Sequence, residues 1–175
     1  MRIATFATAA GLVLLGTVAL ARSVTYDYDR GADFSRYKTY AWTRGTELKD
    51  ELNHARIVRA VDAQLAAKGL TGIEPSANPD VLVAYHASFE RNLEIQGFSH
   101  GWGPLGLGPD RAGSARIQPV LVGTLVVDVT DARTNTIVWR AVASSDINPA
   151  TSPRKRDEKI AGTTEKMFKS YPPKP

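Results

Sequence analysis

"LVVDVTDARTNTIVWR", from Leu125 to Arg140, decides the fold. Leu125, Val127 and Val129 alternate with Val126, Asp128 and Thr130, and this period of two marks a strand with one face toward a core. Asp131-Ala132-Arg133 supplies turn residues, and Ile137 and Trp139 offer bulky cross-strand partners on the return. The stretch reads as a hairpin between two longer strands, "ARIQPVLVGTLVVDVTD" and "TNTIVWRAVASSDI".

Outward from the hairpin, "VLVAYHASFE" (Val81–Glu90) sets Val81, Val83, Tyr85, Ala87 and Phe89 on one face. Leu82 and Ala84 make its first half apolar on both faces, which places that end inside a sheet rather than at its edge. Asp50 through Lys68 reads as a helix with an apolar stripe of Ile57, Val58, Val61 and Leu65. Gly69 supplies a left-handed stop and Leu70 the hydrophobic seal that accompanies it. Nearer the start, "SVTYDYD" alternates Val24, Tyr26 and Tyr28 with Thr25, Asp27 and Asp29, a half-buried strand. "KTYAW" is a second short strand with Tyr40 and Trp42 on one face, and Phe34 and Tyr37 fall in the turn before it. These four aromatics are expected in the core, because a small sheet needs large rings at its corners.

Ser152-Pro153 opens a closing helix, with proline at its first position. Ile160, Thr164, Met167, Phe168 and Tyr171 repeat at helical spacing, and Pro172-Pro173 ends the run. The order is strand, strand, helix, strand, long loop, hairpin, helix. That pattern predicts an α+β fold: a largely antiparallel sheet with two helices packed on one face, a two-layer sandwich.

The first residues, "MRIATFATAAGLVLLGTVALARS", carry a basic start at Arg2, an apolar run from Ala4 to Leu20, and the small-x-small triplet Ala19-Leu20-Ala21. This is the form of a cleavable export signal. Residues 1–21 are expected to be a signal peptide and 22–175 a single domain, periplasmic or otherwise exported, with no stable membrane span after cleavage. The chain has no cysteine, which excludes disulfides, thiol catalysis, thiolate metal sites and lipid attachment at the cut. Net charge is +4, with Arg154, Lys155, Arg156, Lys159, Lys166, Lys169 and Lys174 crowding the last segment. Export argues against nucleic acid as the partner of that charge. An envelope protein, an anionic envelope polymer or lipid head groups are the accessible partners.

Little in the chain reads as chemistry. Asp27 and Asp29 share a strand face, but a hydrolase or calcium site needs further groups opposite them. His54, His86 and His100 lack the short spacing of a zinc site. "GWGPLGLG" resembles a phosphate cradle only superficially, since its prolines remove donors and a strand follows where a helix N-terminus is needed. No catalytic residue, metal or cofactor is expected, and the protein is read as a non-enzyme. The loop from Gly97 to Ser114 holds six glycines and two prolines, a length that usually signals function or disorder. Its apolar residues Phe98, Trp102, Leu105 and Leu107 are the expected contacts for a partner or ligand.

"YDYDRGADFSRYKTYAW", "KGL", "NPDVLVAYH", "GTLVVDVTDARTNTIVWRAVA" and "EKMFKSYPPKP", in that order, resemble bacterial domain-of-unknown-function family 4136. The likeness covers almost the whole chain after the leader. It implies an exported envelope domain with an α+β fold and carries no activity with it. Members of that family are commonly lipoproteins, and this chain differs in having no cysteine for the lipid. The function expected is that of a non-catalytic envelope binding or assembly module. The alternative is a carrier holding a small apolar ligand or lipid between the sheet and the Gly97–Ser114 loop.

Overall fold

The structure is a computed structural model and describes residues 23–46, 48–96 and 116–174. The expected signal peptide and the Gly97–Ser114 loop, with Phe98, Trp102, Leu105 and Leu107, lie outside the described residues, as does His100. The elements are β1 (Ser23–Tyr28), β2 (Thr39–Trp42), α1 (Glu51–Ala67), β3 (Thr71–Gly72), β4 (Val81–Gln96), β5 (Arg116–Asp131), β6 (Thr136–Ile147) and α2 (Pro153–Phe168).

The decisive hairpin forms as expected. β5 and β6 pair antiparallel with Val129 opposite Trp139 and Val127 opposite Ala141. A register shift between Val129 and Thr130 brings Ile137 opposite Thr130, and Ile137 is left exposed. The turn is longer than Asp131-Ala132-Arg133. It runs to Asn135, which takes φ 55°, a left-handed position that asparagine tolerates. β4 pairs antiparallel with β5 over its whole length, from Val81 opposite Asp131 to Gln96 opposite Arg116. It therefore runs six residues past the stretch that the alternation marks.

The strand order is β1-β6-β5-β4-β2-β3. β2 runs parallel to both β3 and β4, because α1 carries the chain back across one face between them. The sheet is thus mixed and mostly antiparallel, and the fold is α+β. Beyond Trp42 the chain keeps following β4: the Thr43 N–H donates to the Val83 carbonyl at 2.9 Å and the Ala87 N–H to the Thr46 carbonyl at 3.0 Å. Gly45 is needed there, since a Cβ at that position would sit 1.9 Å from the Tyr85 carbonyl oxygen.

α1 is closed at both ends by its own sequence. The Asp50 carboxylate accepts from the Leu52 and Asn53 N–H groups, satisfying donors that no helical carbonyl reaches. Gly69 takes φ 84°. The Leu70 N–H then reaches the Leu65 carbonyl, the Gly69 N–H reaches that of Ala66, and Leu70 is buried, which completes a Schellman stop. Ile57, Val61 and Leu65 are buried against the sheet. α2 starts at Pro153, but the Ser152 side chain makes no capping bond. Its stripe is as expected, with Thr164, Met167 and Phe168 buried and Ile160 packed beside them. The Thr164 hydroxyl donates to carbonyls of its own helix, so a buried polar side chain is satisfied locally.

In the core Trp139 meets Phe168 at a tilt and Tyr171 edge-on, with ring centroids 5.1 and 5.3 Å apart. Phe34 bridges Tyr37 and Tyr171 by edge-on contacts of 5.8 Å each. Such pairs add about 0.5–1.5 kcal/mol each beyond the area they bury. Tyr37 and Tyr40 are buried, and Phe34 and Trp42 pack against the same core. The aromatic stretch is core. Tyr26 on β1, an edge strand, is 54% exposed.

Candidate functional site

The inner face of β4, β5 and β6 carries side chains in cross-strand rows. Toward one end the rows are Val83–Val129–Trp139 and Tyr85–Val127–Ala141, and all six residues are buried under the helices. Toward the other end they become Ala87–Leu125–Ala143 and Phe89–Gly123–Ser145. Small residues there leave the space between sheet and helices unfilled. The result is an apolar groove of about 310 Å³, walled by Ile57, Leu121, Leu125, Ile147 and Ile160, with Ala87 in its floor. Gly123 makes room for Ile147, since a Cβ on it would lie 2.9 Å from that side chain. Phe89 stands at the opening and is 51% exposed.

The β6–α2 connection forms the rim. Arg156 donates to the Pro149 carbonyl at 2.7 Å, and the Lys159 ammonium donates to the Asp146 carbonyl. Both cations line the groove, and these backbone partners orient them without neutralising their charge. Two neighbouring carboxylates face other cations. Asp157 holds Arg56 at 2.8 Å and Glu158 holds Arg154 at 3.3 Å.

A second, more polar depression of about 600 Å³ lies at the opposite end of the sheet, lined by Arg36, Tyr37, Asp80, Asp131 and Arg133 among others. Both of its carboxylates are hydrogen-bonded within the fold, and that of Asp131 is saturated. Asp131 accepts from the Tyr37 hydroxyl at 3.0 Å, the Arg36 guanidinium at 2.6 Å, and the Arg133 and Thr134 N–H groups. Burial raises its pKa, but these bonds outweigh burial and hold it below the usual carboxylate value. The Asp80 carboxylate accepts the Lys38 and Thr39 N–H groups at 2.9 Å, and those bonds lower its pKa as well. An ionised carboxylate with its lone pairs so occupied is a weak base and not an acid. These groups latch the aromatic turn to the sheet.

The other titratable clusters are also built as structure. Arg140 grips Asp128 with two bonds of 2.6 and 2.7 Å. His86 Nε2 lies 3.4 Å from the same carboxylate, and its Nδ1 accepts the Thr46 N–H at 3.0 Å, so its proton resides on Nε2. His54 Nδ1 lies 2.7 Å from the Tyr85 hydroxyl. Asp62 accepts from both the Tyr40 hydroxyl and the Trp42 indole, which ties α1 to β2. Asp27 and Asp29 accept from the N–H groups of Tyr28 and Gly31 and form no pair. Among the described residues no group of three or more His, Asp or Glu is placed to hold a metal ion, and no helix is long and apolar enough to cross a membrane.

Sequence reasoning singled out the 97–114 loop and missed the groove. The available signal was the run of small residues at Ala87, Gly123, Ala143 and Ser145, which acquires meaning only once the register places them in adjacent rows.

No curated protein matches the chain. In fold it is similar to a PDZ domain protein from Parabacteroides distasonis, with a TM-score of 0.57 and 16% identity, covering 87% of this chain and 36% of that one. The chain thus spans about a third of that protein. It is also similar to a subunit of the PelC dodecamer from Paraburkholderia phytofirmans, with a TM-score of 0.51 and 9% identity over 83% of this chain and 96% of that one. A protein of a domain-of-unknown-function family from Bacteroides thetaiotaomicron gives a TM-score of 0.52 and 14% identity over 86% and 95%. At such identities the likeness is one of fold. The family model described as Domain of unknown function (DUF4136) matches residues 24–173, the span of every described element but the first residue of β1, and the chain belongs to that family.

Proposed function

We propose that this protein is an exported, non-catalytic component of the cell envelope that binds through the apolar groove between its sheet and helices. One observation carries the reading: an open, apolar recess with cations at its rim. Recesses of this kind are the usual form of a small-molecule or peptide site. The leader-like residues 1–21 and the family membership support an envelope address. The saturated Asp131 carboxylate favours a binding protein over an enzyme. The binding partner is an envelope component rather than a nucleic acid. The groove also favours carriage of a small apolar ligand, held between sheet and helices.

The test is cross-linking in intact envelopes with the native leader in place. Recovery of a discrete envelope component, lost when Leu121→Lys places a charge in the groove wall, is the expected result. Recovery only in the cytoplasmic fraction, or turnover of a substrate by the purified protein, would contradict the proposal.

A further inference from the structure

The groove and its rim together define a ligand class. The walls are aliphatic, from Ile57, Leu121, Leu125, Ile147 and Ile160, and the volume is about 310 Å³. That lies at the low end of the roughly 300–1,000 Å³ common for ligand sites, which fits one acyl chain better than two. The opening is not apolar all round. Arg156 and Lys159 stand on one side of it, each fixed by a backbone carbonyl of the β6–α2 connection. The guanidinium has five N–H donors and the ammonium three, so the carbonyl bond leaves each with donors to offer. Their position follows from the helix: residues three apart share a face, and Ile160 and Thr163 continue that face into the groove.

We infer that the groove binds a single-chain fatty acid, its alkyl tail between sheet and helices and its carboxylate at Arg156 and Lys159. This rests on the reading of the groove as the binding site and narrows it to one occupant. The tail gains from each methylene withdrawn from water. The head gains charge-assisted bonds from donors that are already oriented, so little side-chain freedom is lost on binding. A neutral head forgoes that second contribution, and a two-chain lipid exceeds the volume.

Titration calorimetry of the purified protein with monomeric dodecanoate and with dodecanol tests this. Saturable one-to-one binding of dodecanoate is expected, about tenfold or more tighter than dodecanol. Arg156→Gln with Lys159→Gln should abolish that preference while leaving dodecanol binding in place. Ala87→Phe should fill the floor and weaken both probes, and Leu121→Lys serves as the second groove variant if Ala87→Phe melts early. No saturable binding, equal affinity for the two probes, or affinity unchanged in the groove variants would overturn the inference. So would binding to anionic phospholipid vesicles without binding of monomeric dodecanoate. If the wild-type protein captures the envelope component through the groove but binds no dodecanoate, the fatty acid falls and the binding module stands.

Discussion

The two ends of the inner sheet face use the same three strands and end in opposite conditions. At the Asp131 end the rows carry Val83, Val129, Trp139, Tyr85 and Val127, and rings from α2 and from the 34–40 turn fill the space above them. Polar groups there are latched to one another across the fold. At the Ile147 end the rows shrink to Ala87, Ala143, Gly123 and Ser145 and the space stays open. One end is filled, and the other is left open. A core packed evenly from end to end would gain more burial and lose the recess.

Substitutions should separate the two ends by the size of their effect. Trp139→Ala should be the most costly, about 3–5 kcal/mol, because the ring is fully buried among Phe168 and Tyr171; chemical denaturation measures it. Trp139→Phe should cost less, since the indole nitrogen is buried without a hydrogen-bond partner and its loss leaves nothing unsatisfied. Asp131→Ala should follow at about 2–3 kcal/mol, as it strands the Tyr37 hydroxyl and two backbone donors.

Acid should act on the same end. The folded pKa values of Asp80 and Asp131 are lowered, so their contribution is fully present above the unfolded value of about 3.9. It is lost as pH falls through the lower folded values. The melting temperature should therefore drop below about pH 4, and Asp131→Asn should flatten that drop. The smallest effect belongs to the open end: Phe89→Ala should change stability by no more than about 0.5 kcal/mol, because the ring is half in solvent. A large cost there would mean that the groove is part of the core.

What was legible in the sequence follows from how local the governing physics is. α1 and its Gly69 stop are set by neighbours a few residues away, and they stand where the sequence places them. The alternation of Leu125–Val129 against Val126–Thr130 likewise fixed the inner face of β5 and, with it, the two-layer arrangement. The parallel placement of β2 beside β4 was not legible, because pattern alone does not order strands. The partners of Asp131, Asp80 and Asp62 lie far along the chain, and a lone aspartate gives no sign of them. The groove is the least local feature. Ala87, Gly123 and Ala143 are unremarkable small residues until pairing sets them side by side, and what matters is that no long side chain replaces them.

Hydrogen exchange with and without dodecanoate tests the contrast between the ends most directly. The expected result is added protection at residues 121–125, 143–149 and 156–163, with residues 36–40 and 129–139 unchanged. Added protection confined to the Asp131 end, or none at either end, would contradict it.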